Sequence, residues 1–385
     1  MGIYFNKRPL PIILGSVQLP PNSQVRYNTA EFNFTAKINS LGFRGEERGS
    51  FKPSSVYRIL AIGDSFTFGW GLEEKDTWPK LIENYFQKNT HGKKVEVINL
   101  GRPADSPVDY LLRLREYSDK FNPDLIIIGI LEGDDPAQLV EILSPPSSIS
   151  EQAKNKRQKI IDEFIEKNKR NDKYYSLINH YLPNLYKMLM QYTSFSVNNN
   201  WMNEVQTLLS VADEKGIERY NRIDPAVRNL FITGKLNASL LWLILFSPTR
   251  YEDMQDLNNQ QVKVVEKTLS QIFREMKTVA DNNRQTLLFV EIPLNLYVSS
   301  TYKEYRNKMG FNFSDRVWQS TVSSELILNA AKEAQVEILP TLNEFRSNCA
   351  TDCFYQYDGH LNPKGTFFLT KLIINKISQY IPDKN

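Results

Sequence analysis

RILAIGDSFTFGWG, residues 58–71, decides how the rest of the chain is read. Ile59 to Ile62 form a mostly apolar run that reads as a buried strand, and Gly63 ends it. An acid, a serine and then aromatic and glycine residues follow. The serine therefore stands where a buried strand gives way to a turn. Two readings fit these residues. Ser65 caps the helix that follows, or it is a nucleophile held at the mouth of a site.

Working outward, a strand at YRILAIGD (57–64) is followed by a helix over 77–88 and a strand at KVEVINLG (94–101). VDYLLRLREYSDKF (108–121) carries apolar residues at helical spacing. PDLIIIGILEGDD (123–135) is the continuous β-rich run of a central parallel strand covered on both faces. The pattern resumes with a helix over 261–282, a strand at 284–293, a helix over 316–335, a strand at 336–340 and a last helix over 363–380. This order predicts an α/β fold, a doubly wound and mainly parallel sheet sandwiched by helices. The domains read as an irregular N-terminal extended arm over 1–55, an α/β domain over 56–144 and 261–385, and a polar helical insertion over 145–260. LPPNS and KPSS mark turns within the arm.

The chain has 385 residues, 41% hydrophobic and 24% charged, the composition of a soluble globular protein. The net charge of +3, from 47 basic and 44 acidic residues, gives no electrostatic case for nucleic acid or an anionic membrane. The mixed-charge stretch near 154–173 reads as a solvated helix face. Cys349 and Cys353, in NCATDC, are either a small disulfide or two thiols. No Cys/His set has zinc spacing, so no metal is expected. The apolar piece within MGIYFNKRPLPIILGSVQLPPN is too short to span a bilayer and lacks a small-residue cleavage site. Met1-Gly2 is too weak for a myristoylation signal. ASLLWLILF (238–246) reads as a buried helix. The chain as given reads as soluble.

In a parallel α/β sheet, ligands bind beyond the carboxyl ends of the strands. Ser65, NLGRPADS (99–106), EGDD (132–135) and His360 all follow strands. The chain has three histidines. His91 lies in a polar turn and reads as surface, and His180 in an amphipathic stretch reads as structural. His360 has Asp358 two residues before it, so the carboxylate can orient an imidazole that takes a proton from a serine. DGH alone reads equally as an Asx turn capping the final helix.

GDSFTFG early in the α/β part and DGHLNPKG before its last helix together resemble the SGNH hydrolases, also called GDSL-type lipases and esterases. The resemblance covers about 57–135 and 284–380, and INSLGFRG (38–45) is similar to a lead-in of bacterial members. It does not cover the insertion. It implies an SGNH fold with Ser65 as nucleophile, His360 as general base and Asp358 as the orienting acid. The D-x-H spacing is shorter than the commoner D-x-x-H and is similar to that of alginate-type O-acetyltransferases and related exported esterases. Gly359 permits the turn this needs. The resemblance also implies an oxyanion hole from the Ser65 amide, the amide of Ala104 where the family has glycine, and position 134, where Asp134 stands for the expected asparagine. An ionised aspartate accepts but does not donate, and a lost donor costs about 100- to 1,000-fold in rate. Three explanations stand. Asp134 is protonated through Glu132 and Asp135, Arg102 replaces it as donor, or catalysis is weak. Asp64, Arg102 and Asp135 are candidate substrate-binding groups.

The expected activity is hydrolysis of carboxylic esters, O-acyl groups on a carbohydrate or small alcohol, through an acyl-enzyme on Ser65 and without a cofactor. The alternatives are O-acyl transfer at the same site, or a glycan-binding or assembly protein of weak activity. A nucleotide-binding domain is disfavoured, because neither GxGxxG nor GxxxxGK[ST] occurs. The expected partners are a small-molecule or glycan ester and an envelope or polysaccharide-assembly partner. Tyr174, Tyr175, Tyr181, Tyr186, Tyr192, Trp201 and Trp242 of the insertion read as helix core or as sugar-stacking rings. The family resemblance and the cysteine pair point to the cell envelope, and the missing signal sequence to the cytoplasm.

Overall fold

The computed structural model describes residues 19, 21–89, 94–143, 195–196, 198–256 and 258–381. Its centre is a sheet of five parallel strands in the order β4-β3-β5-β7-β8. The strands are β3 (Val56–Ile62), β4 (Lys94–Asn99), β5 (Leu125–Leu131), β7 (Thr286–Ile292) and β8 (Glu337–Leu339). Ile127 at the centre pairs with Ala61 on one side and Leu288 on the other. Every residue of β3 and β5 is buried, which is why both read as unbroken apolar runs. Alternate side chains feed two separate cores. Ile59, Ala61, Ile127 and Leu288 enter one, and Leu60, Ile62, Ile126 and Phe289 the other.

Helix α2 (Trp78–Asn89) and the last helix, Pro363–Ile377, cover the first face through Trp78, Ile82, Leu369 and Ile373. Helix α3 (Pro107–Phe121) and the helices at Gln260–Asn282 and Val322–Glu333 cover the second through Leu111, Phe273 and Ile327. Two expectations are corrected. The run 123–135 stops being strand at Leu131, and its acids begin helix α4 (Asp134–Leu143). The helix over 316–335 is two, Arg316–Gln319 and Val322–Glu333, parted at Ser320 in extended conformation.

The arm is not irregular throughout. β1 (Gln24–Asn28) and β2 (Asn33–Lys37) form an antiparallel hairpin. Val25, Tyr27, Phe34 and Ala36 alternate inward, and Tyr27 stacks on Phe34 with centroids 4.9 Å apart. On its other edge, β1 pairs in parallel with β6 (Phe195–Ser196), a segment of the expected insertion. That region continues as helices at Asn198–Val211, Glu214–Arg222, Pro225–Ile232, Ala238–Phe246 and Arg250–Asp253. Trp201 and Trp242 are both core residues. His91, His180, the 154–173 stretch, the five insertion tyrosines and the first residues of the arm lie outside the described residues. Cys349 and Cys353 are joined by a disulfide.

Candidate active site

β3 ends at Ile62, and the chain turns through Gly63 into a one-turn helix, α1 (Ser65–Phe68). The cap of that helix is Asp64 and not Ser65. The Phe66 N–H donates to Asp64 Oδ1 at 2.9 Å. Ser65 is thereby released from the capping role and is partly exposed among buried neighbours. Its helix seats directly on backbone. A Cβ on Gly101 would lie 2.3 Å from the Phe68 nitrogen, and one on Gly129 would lie 2.8 Å from Thr67 Oγ1. Arg44, from the GFRG lead-in, donates to the carbonyls of Phe68 and Gly69 at 3.1 and 2.7 Å, and so closes the far end. The position of Ser65 is therefore set by packing and not by a flexible loop.

The loop before the last helix brings His360 across. Its Nε2 is 2.7 Å from Ser65 Oγ and its Nδ1 is 2.5 Å from Asp358 Oδ1. An ionised carboxylate can only accept, so Nδ1 carries the hydrogen and neutral Nε2 is free to accept from the serine hydroxyl. Asp358 is buried, and burial alone would raise its carboxyl. The adjacent His360, then Arg306 and the Trp70 indole, outweigh that and hold it below the ordinary value. The second oxygen, Oδ2, accepts from Trp70 Nε1 at 3.3 Å. Gly359 adopts φ +86°, the left-handed turn that lets an acid two positions before the histidine face its ring. Phe66 and Trp70 flank the imidazole, with centroids 4.6 and 6.0 Å away.

Ala104 has φ +66°, the left-handed region that glycine enters without a steric penalty. Among the described residues no hydrogen bond takes the N–H of Ala104 or of Ser65, so both remain free donors. Asp134 is not a donor. Its Oδ1 accepts from Arg250 Nη2 and the Tyr251 hydroxyl, both at 3.0 Å, and Oδ2 accepts from Gln138 at 2.9 Å. Arg250 also binds Glu141 at 3.0 Å, so the guanidinium ties the expected insertion to α4. A cation and two further donors thus surround the Asp134 carboxylate. Glu132 faces elsewhere, towards Glu291 and Arg346. The Nε of Arg102 lies 3.1 Å from Asp105 Oδ1.

The substrate-binding roles expected of Asp64 and Asp135 are corrected for the same reason in each case. Asp64 is 2% exposed and spent on its cap. Asp135 is fully buried and accepts from the Leu131 N–H and the Tyr110 hydroxyl, both at 2.9 Å. Burial, then nearby acids including Asp134, push Asp64 up to about 7, against the pull of the Phe66 N–H and His360. Burial first, then Asp64 and Asp134, raise Asp135 well above the carboxylate range. Three residues that the motifs did not flag also reach the Asp358 loop: Glu31, Trp70 and Arg306. Only Trp70, beside the GDSFTFG motif, left a sequence signal.

Residues 59–230 match the family of GDSL-like lipases and acylhydrolases. An arylesterase of Vibrio mimicus is 31% identical over 77 residues, which is 20% of this chain and 38% of that relative. The match thus spans well under two thirds of the relative's length. A lipase/acylhydrolase from Enterococcus faecalis is 14% identical, with 86% of this chain and 99% of that one covered and a TM-score of 0.39. For the acetyl xylan esterase AlAXEase the figures are 9%, 83%, 99% and 0.40.

Two outcomes are expected. Relieving the left-handed alanine is worth roughly 1–2 kcal/mol, against roughly 0.4–1 kcal/mol for the added freedom of an unfolded glycine. Ala104→Gly therefore raises the unfolding free energy slightly in urea denaturation. The unfolded chain releases the Asp64 proton near pH ~4, whereas the folded protein keeps it up to about 7. The stability this supplies is full below the unfolded value and is lost as pH rises through the folded one. Asp64→Asn, which keeps an acceptor for Phe66, shows a smaller fall in Tm over that interval than the unaltered protein.

Proposed function

We propose, from the match of residues 59–230 to the GDSL-like lipases and acylhydrolases, that the chain is a serine esterase acting on O-acyl groups, with a carbohydrate or small alcohol as the leaving group. The observation that carries this reading is the His360 imidazole, bonded at once to Asp358 and to Ser65. Ser65 Oγ attacks the acyl carbonyl while Nε2 takes its proton. The N–H groups of Ser65 and Ala104 stabilise the negative oxygen of the tetrahedral intermediate. His360 returns the proton to the leaving alcohol, and the acyl group stays on Ser65. Water, deprotonated by His360, then releases the acid and regenerates the serine. Throughout, Asp358 keeps the ring oriented and supports its positive charge.

A sugar hydroxyl in place of that water gives an O-acyltransferase, since the acyl-enzyme is common to both. A weaker, glycan-holding role is the reading that Asp134 favours, because its side chain accepts where the family donates. The disulfide supports an oxidising location such as the cell envelope. No described helix is long and apolar enough to cross a membrane.

A fluorophosphonate probe is expected to label the unaltered protein and to leave Ser65→Ala unlabelled. Asp358→Asn is expected to lower p-nitrophenyl acetate turnover by about 1,000- to 10,000-fold. Failure of the probe to label at any pH from mildly acidic to mildly alkaline overturns the esterase reading. Release of free acid without an added alcohol favours hydrolysis, and ester formation that depends on added sugar favours transfer. Thiol titration of the denatured, unreduced protein is expected to find no free thiol, and two after reduction.

A further inference from the structure

We propose that Glu31 and Arg306 form a two-sided clamp on the Tyr357–Asp358 backbone and are positioning residues for His360. The inference deepens the esterase reading and rests on it for its kinetic arm.

The loop from Phe354 to Leu361 is partly self-supporting. Tyr355 N–H donates to the His360 carbonyl at 2.8 Å, and Gly359 N–H to the Tyr355 carbonyl at 3.2 Å. The two residues that set the direction of the Asp358 side chain have none of these internal bonds. Their N–H groups go to Glu31, from Tyr357 at 3.0 Å and from Asp358 at 2.7 Å. Their carbonyls go to Arg306, Tyr357 at 3.0 Å and Asp358 at 3.3 Å. The peptide unit between Tyr357 and Asp358 is thus held at both edges, C=O by Arg306 and N–H by Glu31, and the units on either side are each held once, by an acid and a base distant in sequence.

Both arms of the clamp are rigid. Glu31 stands in the turn between β1 and β2, where the Thr29 hydroxyl accepts from the Glu31 and Phe32 amides at 3.1 and 2.9 Å. Arg306 is 5% exposed and leaves no space beside it: a Cβ on Gly359 would lie 1.9 Å from its Nη2. Gly359 is therefore required twice, for its φ and for the close approach of the guanidinium. The charged and titratable groups around Glu31 are Asp358, Arg306, Tyr355 and Tyr357. Placing one carboxylate beside another is electrostatically unfavourable. It persists here because the two amides need an acceptor and Arg306 lies on the opposite side. The hairpin that carries Glu31 also packs Tyr27, Phe32 and Phe34 against Trp70, whose indole holds the other Asp358 oxygen. The clamp thereby fixes the carboxylate, the carboxylate fixes Nδ1, and the ring presents Nε2 to Ser65.

The test uses the full chain with Glu31→Ala, Glu31→Gln and Arg306→Lys, each well below its own Tm. The first readout is the low-field proton resonance of His360 Nδ1–H, assigned by its loss in His360→Gln. The second is kcat and KM for p-nitrophenyl acetate. Glu31→Ala is expected to broaden or abolish the resonance and to lower kcat by about 10- to 100-fold with KM nearly unchanged. Glu31→Gln, whose one amide oxygen still accepts from the Asp358 N–H while its NH2 faces that of Tyr357, restores both in part. Arg306→Lys, which keeps the charge but loses the fork, behaves as Glu31→Ala. A Glu31→Ala protein with the resonance and kcat of the unaltered chain overturns the clamp, whatever its Tm. Loss of the resonance in a protein that never turns over ester upholds the clamp and removes the hydrolase reading instead.

Discussion

The arrangement depends on one ring being bonded at both ends. The imidazole of His360 accepts its place only if an acid and a hydroxyl meet it in line; the acid lies two residues from it in sequence and the hydroxyl 295. Trp70 couples the two sides. Its backbone N–H donates to the Ser65 carbonyl at 2.9 Å, and its indole N–H reaches the Asp358 carboxylate. A displacement on the serine side is therefore carried to the acid side through one rigid, buried aromatic residue. The rings of Tyr27, Phe32 and Phe34 then limit where that residue can go.

Much of this was legible because it rests on local chemistry. β3 and β5 bury both faces, so their apolar runs announce central strands. Ser65 and His360 lie in short motifs next to strand ends and a helix start, where sequence and geometry coincide. The hairpin was less visible. Its alternating residues are there in QVRYN and NFTAK, but prolines and polar turns on either side make the whole arm look irregular. Glu31 and Arg306 could not be found at all. Each acts by bonding the backbone of a distant segment, and a backbone group has no residue-type signature.

Position 134 shows why a motif departure is hard to interpret in isolation. From the motif alone, an acid in place of an amide is a lost donor. In the fold it is one end of an ion pair, and its counterpart Arg250 lies in the region that the family motifs leave uncovered. A substituted residue and an added segment thus explain each other: a neutral amide would leave the buried guanidinium with less compensation. The region expected as an insertion is consequently joined to α4 by charge and to the N-terminal hairpin by main-chain pairing at β1.

That main-chain pairing has a temporal side. The hairpin leaves the ribosome before its edge partner at Phe195–Ser196, and the amides that Glu31 binds emerge later still. A nascent chain can complete the Ser65 turn and most of the sheet while the hairpin still lacks both partners. The imidazole that meets the Ser65 hydroxyl is supplied only when the Phe354–Leu361 loop has been made. A chain cut short before Phe195 carries a Ser65 hydroxyl with no imidazole beside it, and its β1 edge is left open to proteolysis or to pairing with another chain.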